Sequence, residues 1–344
     1  MKELLLLARS ALENRPLHGT VFDRLYHWDS ATWSRILEDA RKHSVFGLVY
    51  QAVSLLPTGA PVPEDVVFKL VAEGESIAGR SESMELASRT LVEQMTRSGL
   101  HPVVMKGAET ARFYPVPQLR GYGDIDLYVP VEEADTAVAA VQTAGYAIKK
   151  EADGSFHFKY EGIDVDVHTH YYDLPCPPER LPKPSSPEGT LLMLSAHALK
   201  HAVGAGIGLR QLCDLGAALK ALDGKYDPDA YRSYCKEAGI LRWSRLVHRF
   251  EEVYLGVPDR VFKGNKCSPK PLLDLVREGG NFGHHAPFRK TALLGKSVLR
   301  RKMDTALRFV LHLPFSLKYS PKMTVSRFWE LLRGNLQTET GRPS

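Results

Sequence analysis

Two stretches, 124-DIDLYV-129 and 161-EGIDVDVHTH-170, place a polar side chain at every second position and an aliphatic one between. A period of two belongs to a β-strand, whose successive side chains point to opposite faces. Each stretch therefore has an apolar face that must be covered. Its other face carries potential metal ligands, namely Asp124 and Asp126 in the first stretch and Asp164, Asp166, His168 and His170 in the second. Carboxylates buried without partners are costly, so this face must meet cations or water. A chain with two such strands has to build a sheet that is packed on one side and chemically equipped on the other.

The surrounding pattern predicts where that sheet sits. Residues 1–98 carry helical spacing: Trp33, Ile36, Leu37 and Ala40 follow a cap at Asp29 or Ser30, and a long amphipathic run over 64–99 ends at Gly99. Short strands are then expected at 101-HPVVMK-106, 124-DIDLYV-129, 146-YAIKK-150, 156-FHFKY-160 and 162-GIDVDVHTH-170, with one helix over 131–145. Gly154 and Glu161-Gly162 suit hairpin turns, so a helical crossover comes first and antiparallel pairs later, which makes a mixed sheet. The proline-rich 174-LPCPPERLPKPSSPEG-189 reads as a linker, and helical patterns dominate from Thr190 onward, at 190–203, 209–222 and 241–255. The segment 279-GGNFGHHAPF-288 reads as a loop and the final TETGRPS as a frayed end. The expected fold class is α+β: a small α/β core over 93–175, between an N-terminal helical segment over 1–92 and a C-terminal helical domain over 188–338.

Composition narrows the setting. Four cysteines with no C-x-x-C pair suggest neither a zinc knuckle nor a disulfide scaffold, so a reducing cytoplasm is the expected location. No run approaches the eighteen apolar residues or more of a membrane span. From Pro258 to the end there are 17 Lys and Arg against 6 Asp and Glu, and before it 28 against 34. This asymmetry marks either a polyanion-binding surface, for RNA or acidic lipid, or a solvated basic face.

The chemistry centres on the acids. Asp124 and Asp126 lie on one face of a strand, about 7 Å apart at their α-carbons by the strand rise. Side by side they repel, and a hard divalent cation relieves that repulsion. A neighbouring strand about 4.8 Å away brings a third carboxylate, with Asp166 best placed and Asp164 its competitor on the same face. Three such carboxylates can hold two Mg²⁺ ions about 4 Å apart, clamping the attacking and leaving oxygens of phosphoryl or nucleotidyl transfer. Upstream, 101-HPVVMK-106 runs into 107-GAETARFY-114, so Gly107 lies at a strand-to-helix turn suited to an anion, with Lys106 at its rim. Arg120 and 121-GYG-123 precede the acid strand, where a second cation reaches the phosphates.

In this order, Lys106-Gly107, a helix, Arg120, Gly123-Asp124-Ile125-Asp126-Leu127 and a later acid-bearing apolar strand resemble the DNA polymerase beta-type nucleotidyltransferase superfamily. More narrowly, 104-VMKGAETARFYPVPQLRGYGDIDLYV-129 with 164-DVDVH-168, 192-LMLSAHALKH-201 and 210-RQLCDLGAAL-219 is similar to the bacterial family described as uncharacterised nucleotidyltransferases, over about residues 45 to 220. The resemblance implies a minimal nucleotidyltransferase sheet. It implies that Asp124 and Asp126 bind both metals, and that Asp166, two residues before a histidine, binds the catalytic metal and helps deprotonate the acceptor. The superfamily usually has Gly-Gly or Gly-Ser at the phosphate turn, whereas this chain has Lys106-Gly107-Ala108, so contacts to the triphosphate of ATP or another NTP fall to backbone N–H groups and to Lys106 or Arg120.

The reaction so implied transfers NMP from an NTP to a hydroxyl and releases pyrophosphate. Its acceptor, whether a small metabolite or antibiotic, a protein side chain or an RNA 3′ end, is not encoded in these motifs. Two other classes fit the same residues: a catalytically inactive nucleotide-binding module and a metal-dependent phosphohydrolase. His168-x-His170 invites a zinc reading, but the flanking helices do not supply the eight strand–helix units of a (β/α)₈ hydrolase barrel. His168 is expected to support the site or touch substrate, and His170 to lie on the surface. His197 and His201 lack the glutamate of H-E-x-x-H. Arg210 and Asp214, at i, i+4 spacing, either pair on a helix surface or wall a nucleotide pocket. Trp243, Tyr254 and Trp329 fall among aliphatics at core spacing.

Overall fold

The computed structural model describes residues 1–151, 153–204, 206–279 and 310–332. The expected loop over 279–288, save Gly279, and the TETGRPS end lie outside the described residues. The N-terminal helices are α1 (Lys2–Glu13), α2 (Gly19–Asp23), α3 (Ser30–Lys42), α4 (Phe46–Ser54) and α5 (Glu64–Arg97). Of the two candidate caps for α3, Asp29 takes the role, its Oδ1 accepting from the Thr32 N–H at 2.8 Å. Gly99, at φ 81°, follows the end of α5.

The sheet comprises β1 (Val103–Val104), β2 (Asp124–Tyr128), β3 (Ile148–Lys150), β4 (Phe156–Tyr160) and β5 (Ile163–His168). The one-turn helix α6 (Ala108–Ala111) follows β1, and α7 (Ala134–Thr143) crosses over after β2. Strand order is β1-β2-β5-β4-β3, with β2 and β5 parallel and the other pairs antiparallel, a mixed sheet as the turn signals required. Glu161 (φ 49°) and Gly162 (φ 82°) form the two-residue connection between β4 and β5, the left-handed pair whose twist suits a tight hairpin.

C-terminal to the sheet come α8 (Pro187–Val203), α9 (Leu209–Ala221), α10 (Pro228–Glu237), α11 (Leu241–Phe250) and α12 (Lys270–Gly279). Helical turns at 310–319 and a helix over Pro321–Leu332 complete the described chain. The expected linker is irregular over 174–186 apart from one turn at Pro178–Arg180, its last three residues open α8, and Leu174, Cys176 and Leu181 pack on the helical core. Trp243 is fully buried as expected, whereas Trp329 is 55% exposed, contrary to its expected place in the core.

Apolar residues divide between two cores. Ile125 and Leu127 of β2, Phe156 and Phe158 of β4, and Val165 and Val167 of β5 form one face of the sheet. Met84, Leu91 and Met95 of α5 and Ala137, Val138 and Val141 of α7 close over them. The larger core gathers α1, α3, α4 and the helices from α8 to α12. Helix α5 serves both, with Val66 and Leu70 in the larger core and its C-terminal half in the smaller. The acid-bearing face of the sheet points away from its own core, toward α8 and α9.

One carboxyl group inside the larger core has a measurable consequence. Glu251 begins a turn of π-helix (Glu251–Leu255), is 1% exposed, and neither of its oxygens has a hydrogen-bond partner among the described residues. Burial holds its pKa well above the ordinary 4.5. The folded chain therefore keeps a proton that the unfolded chain releases, and stability falls as pH rises from about 4.5 through the folded value. Glu251→Gln, which cannot titrate, should melt higher than the parent at pH 8, and the difference should vanish toward pH 4.5. Thermal melts across pH check this.

Candidate active site

Pairing of β2 with β5 converts two alternating sequences into one ladder. Asp124 lies opposite Asp164, Asp126 opposite Asp166, and Tyr128 opposite His168. On the far side of β5, β4 adds Lys159 opposite Asp164 and His157 opposite Asp166. All four acids thus share one face, as a period of two demands, and the remaining question is what each carboxylate touches.

Asp126 is the most heavily engaged. Lys106 Nζ donates to its Oδ1 at 3.0 Å, and His168 Nε2 lies 3.0 Å from the same oxygen. Burial alone would raise its pKa, but Lys106 and then the His168 contact prevail and hold the carboxyl well below the usual range. Lys106 responds in kind: burial works against its charge, yet Asp126 and Asp173 raise its pKa overall. Asp166 Oδ1 lies 2.8 Å from His157 Nδ1, and His157 Nε2 lies 3.2 Å from Glu151 Oε1. Asp164, the competitor, meets Lys159 at 2.9 Å.

Asp124 differs from its neighbours. No hydrogen bond or ion pair reaches its carboxylate among the described residues. Burial, then Asp126, with Asp166 adding, push its pKa up to about 6 against the pull of Arg210. This carboxylate is crowded by like charge and lacks a partner, which is the condition that a hard divalent cation relieves. By charge and donor type, Asp124, Asp126 and Asp166 fit such an ion. As the side chains stand, no three His, Cys, Asp or Glu residues among the described ones are grouped to hold a metal. Completing a three-carboxylate site requires Asp126 to exchange Lys106, and Asp166 to exchange His157, for the ion.

The turn at Gly107 is built by backbone. Gly107 adopts φ 56° and ψ −110°, a conformation hostile to L side chains, and a β-carbon there would sit 3.1 Å from the Tyr122 ring. The turn therefore lies against the segment that leads into β2. Helix α6 behind it is a single turn, so its dipole attracts an anion weakly compared with that of a long helix.

Arg120, expected to reach phosphates from just before the acid strand, points elsewhere. It is buried, donating from Nε and Nη2 to the two oxygens of Asp214 at 2.9 and 2.7 Å, and Tyr114 Oη donates to Asp214 Oδ1 at 2.7 Å. Asp214 was expected to pair, if at all, with Arg210 one turn away on the same helix. The partner instead comes from 94 residues upstream, because both groups are buried and a bidentate fork satisfies more donors than a one-turn contact. Arg210 leaves Asp214 to Arg120: it donates from Nη1 to the Gly121 carbonyl at 3.3 Å and its charge acts on Asp124. Of the two roles its spacing from Asp214 suggested, the pairing along the helix surface does not form.

The histidines form the other side of the cleft. His170, expected at the surface, is half-buried and bonds Asp173 through Nε2 at 3.1 Å, while Lys200 holds the other Asp173 oxygen at 2.8 Å. Burial opposes that charge, but Lys200 and His170 keep Asp173 well below the usual range. Burial, then Lys106 and His201, push His197 well below the ordinary imidazole value, so it stands neutral against the site. Beyond Lys106 a cavity of about 530 Å³ opens, walled chiefly by Val103, Met105, Phe113, Tyr171, Pro184 and Met193. Met105, Tyr171 and Met193 also bound the cleft of Lys106, His168 and His197, so the two spaces share a wall.

No helix among the described residues is long and apolar enough to cross a membrane. No curated protein and no solved structure matches the chain. A family does: the group described as "Uncharacterised nucleotidyltransferase" matches residues 29–256, which include the whole sheet, the acid ladder and helices α3 to α11. With two-thirds of its length matched, and with a mixed sheet that brings the D-x-D strand beside a third acid, the chain belongs to this nucleotidyltransferase family.

Proposed function

We propose that the protein is a metal-dependent nucleotidyltransferase that moves NMP from an NTP to a hydroxyl acceptor and releases pyrophosphate. The observation that supports this most is the unpartnered Asp124 carboxylate, crowded by Asp126 and Asp166 on a face that points at helices rather than at its own core. Asp124 and Asp126 would hold Mg²⁺, with Asp166 completing the catalytic site. Bound there, the ions neutralise phosphate charge and lower the pKa of the attacking hydroxyl.

The chain's own groups supply the rest. The Gly107 turn brings backbone against the phosphates, and Lys106 offers a point charge when it leaves Asp126. Asp166 accepts the acceptor's proton, and His157, bracketed by Asp166 and Glu151, orients that carboxylate. Arg120 braces the loop between the phosphate turn and β2 through Asp214. The cavity beside Lys106, mainly apolar and about 530 Å³, favours a hydroxyl carried on a compact, partly apolar body over an RNA 3′ end.

The test is incubation with each of the four NTPs labelled at the α-phosphate, with Mg²⁺ and cell extract as acceptor source. A labelled adduct together with pyrophosphate is the expected result, absent with Asp126→Asn. Labelled free NMP alone would instead identify a phosphohydrolase, and NTP binding without any product would identify a regulatory module.

A further inference from the structure

The cations around the acid ladder are almost all committed. Lys106 is on Asp126, Lys159 on Asp164, Lys200 on Asp173, and Arg120 spends both prongs of its fork on Asp214. Among the described residues, Arg210 is the exception. It projects from the first turn of α9, and its Nη1 makes one long contact, 3.3 Å, with the Gly121 carbonyl. Its Nε is buried with no hydrogen-bond partner among the described residues. A guanidinium has five N–H donors and keeps its charge in proteins, so most of this group's capacity is unused.

The charges around it do not balance. Arg120 and Arg210 repel each other, and Asp214, which attracts both, is already bidentate with Arg120. Burial, then the neighbouring Arg120, lower the pKa of Arg210, the mark of a cation short of negative charge. Asp124 is the other acid within electrostatic reach, and it is also unpartnered. The location is specific: Gly121 lies three residues before Asp124, and the Gly107 turn packs on Tyr122 in the same segment. The Gly107 turn and the Gly121 carbonyl that Arg210 contacts thus lie toward the Asp124 end of β2, while Val103 and Val104 of the apolar cavity pair with Tyr128 and Leu127 at its other end.

We infer that Arg210 is the guanidinium that binds the β- and γ-phosphates of the NTP, a subsite contributed by the C-terminal helices. The inference rests on the nucleotidyltransferase reading and deepens it. In the transfer, the acceptor oxygen forms its bond to the α-phosphorus as the bond from that phosphorus to the bridging oxygen breaks. The electron pair passes to the bridging oxygen of the departing pyrophosphate, and the acceptor's proton passes to Asp166. Negative charge grows on the pyrophosphate, where a planar fork matches two phosphate oxygens at once. A group at this position acts on the leaving group and leaves the NMP moiety untouched.

The experiment compares an NTP analogue with a non-cleavable α,β-methylene bridge against the matching NMP, by calorimetry in Mg²⁺, for the parent, Arg210→Gln and Arg210→Lys. The parent should bind the triphosphate far more tightly than the monophosphate, and pyrophosphate should compete. Arg210→Gln should lose roughly 10- to 150-fold in triphosphate affinity, the range for a charged hydrogen bond, with NMP affinity unchanged. Arg210→Lys should fall between them, since it keeps charge without the fork. Equal triphosphate binding by parent and Arg210→Gln would overturn the inference while leaving the enzyme class standing. Parallel losses for triphosphate and monophosphate would assign Arg210 a structural role instead. A parent that binds neither nucleotide would remove the nucleotidyltransferase reading together with this one.

Discussion

Asp124→Asn should abolish nucleotidyl transfer and, in EDTA, make the protein more stable. The two effects have one cause. Asp124 is a buried carboxylate with Asp126 and Asp166 nearby, and at pH 8, above its folded value of about 6, it is ionised at a cost that the unfolded chain does not bear. Neutral asparagine removes that cost, worth about 1–3 kcal/mol, and should raise the melting temperature by several degrees. Below the ordinary carboxylate value of 3.8 the gain disappears, because both states are protonated there. Transfer should fall by roughly a thousandfold or more, as the charge that positions the cation is gone. Millimolar Mg²⁺ should raise the melting temperature of the parent and leave that of the variant unchanged. A variant that turns over normally, or that melts below the parent in EDTA, would show that Asp124 is an ordinary structural acid.

Asp214→Asn should act in the opposite direction. It leaves Arg120 buried without a counter-charge and Tyr114 with a weaker acceptor. Breaking a buried pair from one side typically costs about 3–5 kcal/mol, so the melting temperature should drop by roughly 10 °C. Replacing both members, Arg120→Met with Asp214→Leu, removes the stranded charge and should destabilise less than either single change would suggest. If Asp214→Asn melted like the parent, the pair would contribute nothing, contrary to the geometry. Loss of activity in this variant should track loss of folded protein, unlike that of Asp124→Asn, and thermal melts run beside the labelling assay separate the two.

What was legible beforehand was local. Alternation in 124–129 and 163–168 identified strands and faces because side-chain direction in a strand depends only on position parity. The Glu161-Gly162 turn was legible because few residue pairs accept two left-handed conformations. Which acid lies opposite which was not, since register between β2 and β5 depends on packing across some forty intervening residues, and it placed both Asp164 and Asp166 on the ladder. Arg120 misled because a loop arginine beside a D-x-D motif looks exposed, while its partner is distant in sequence. His170 misled for another reason: its partner Asp173 is only three residues on, but Lys200 of α8 holds that acid and so draws the pair into the fold. Arg210 was legible only as two alternatives, a helix-surface pair with Asp214 or a pocket wall, because its actual contact, the Gly121 carbonyl, comes from a segment 89 residues away.

The division of apolar residues into two cores sets the energetics of access to the acid face. Helix α5, 34 residues and about 51 Å long, runs through both like an axle. What spans the seam between them at the site is part apolar, with Met105 and Tyr128 packed on the helical core, and part polar, with Arg120 on Asp214 and Arg210 on Gly121. Prising the polar part apart trades hydrogen bonds for water, and a triphosphate can compensate there in the same coin, charge for charge.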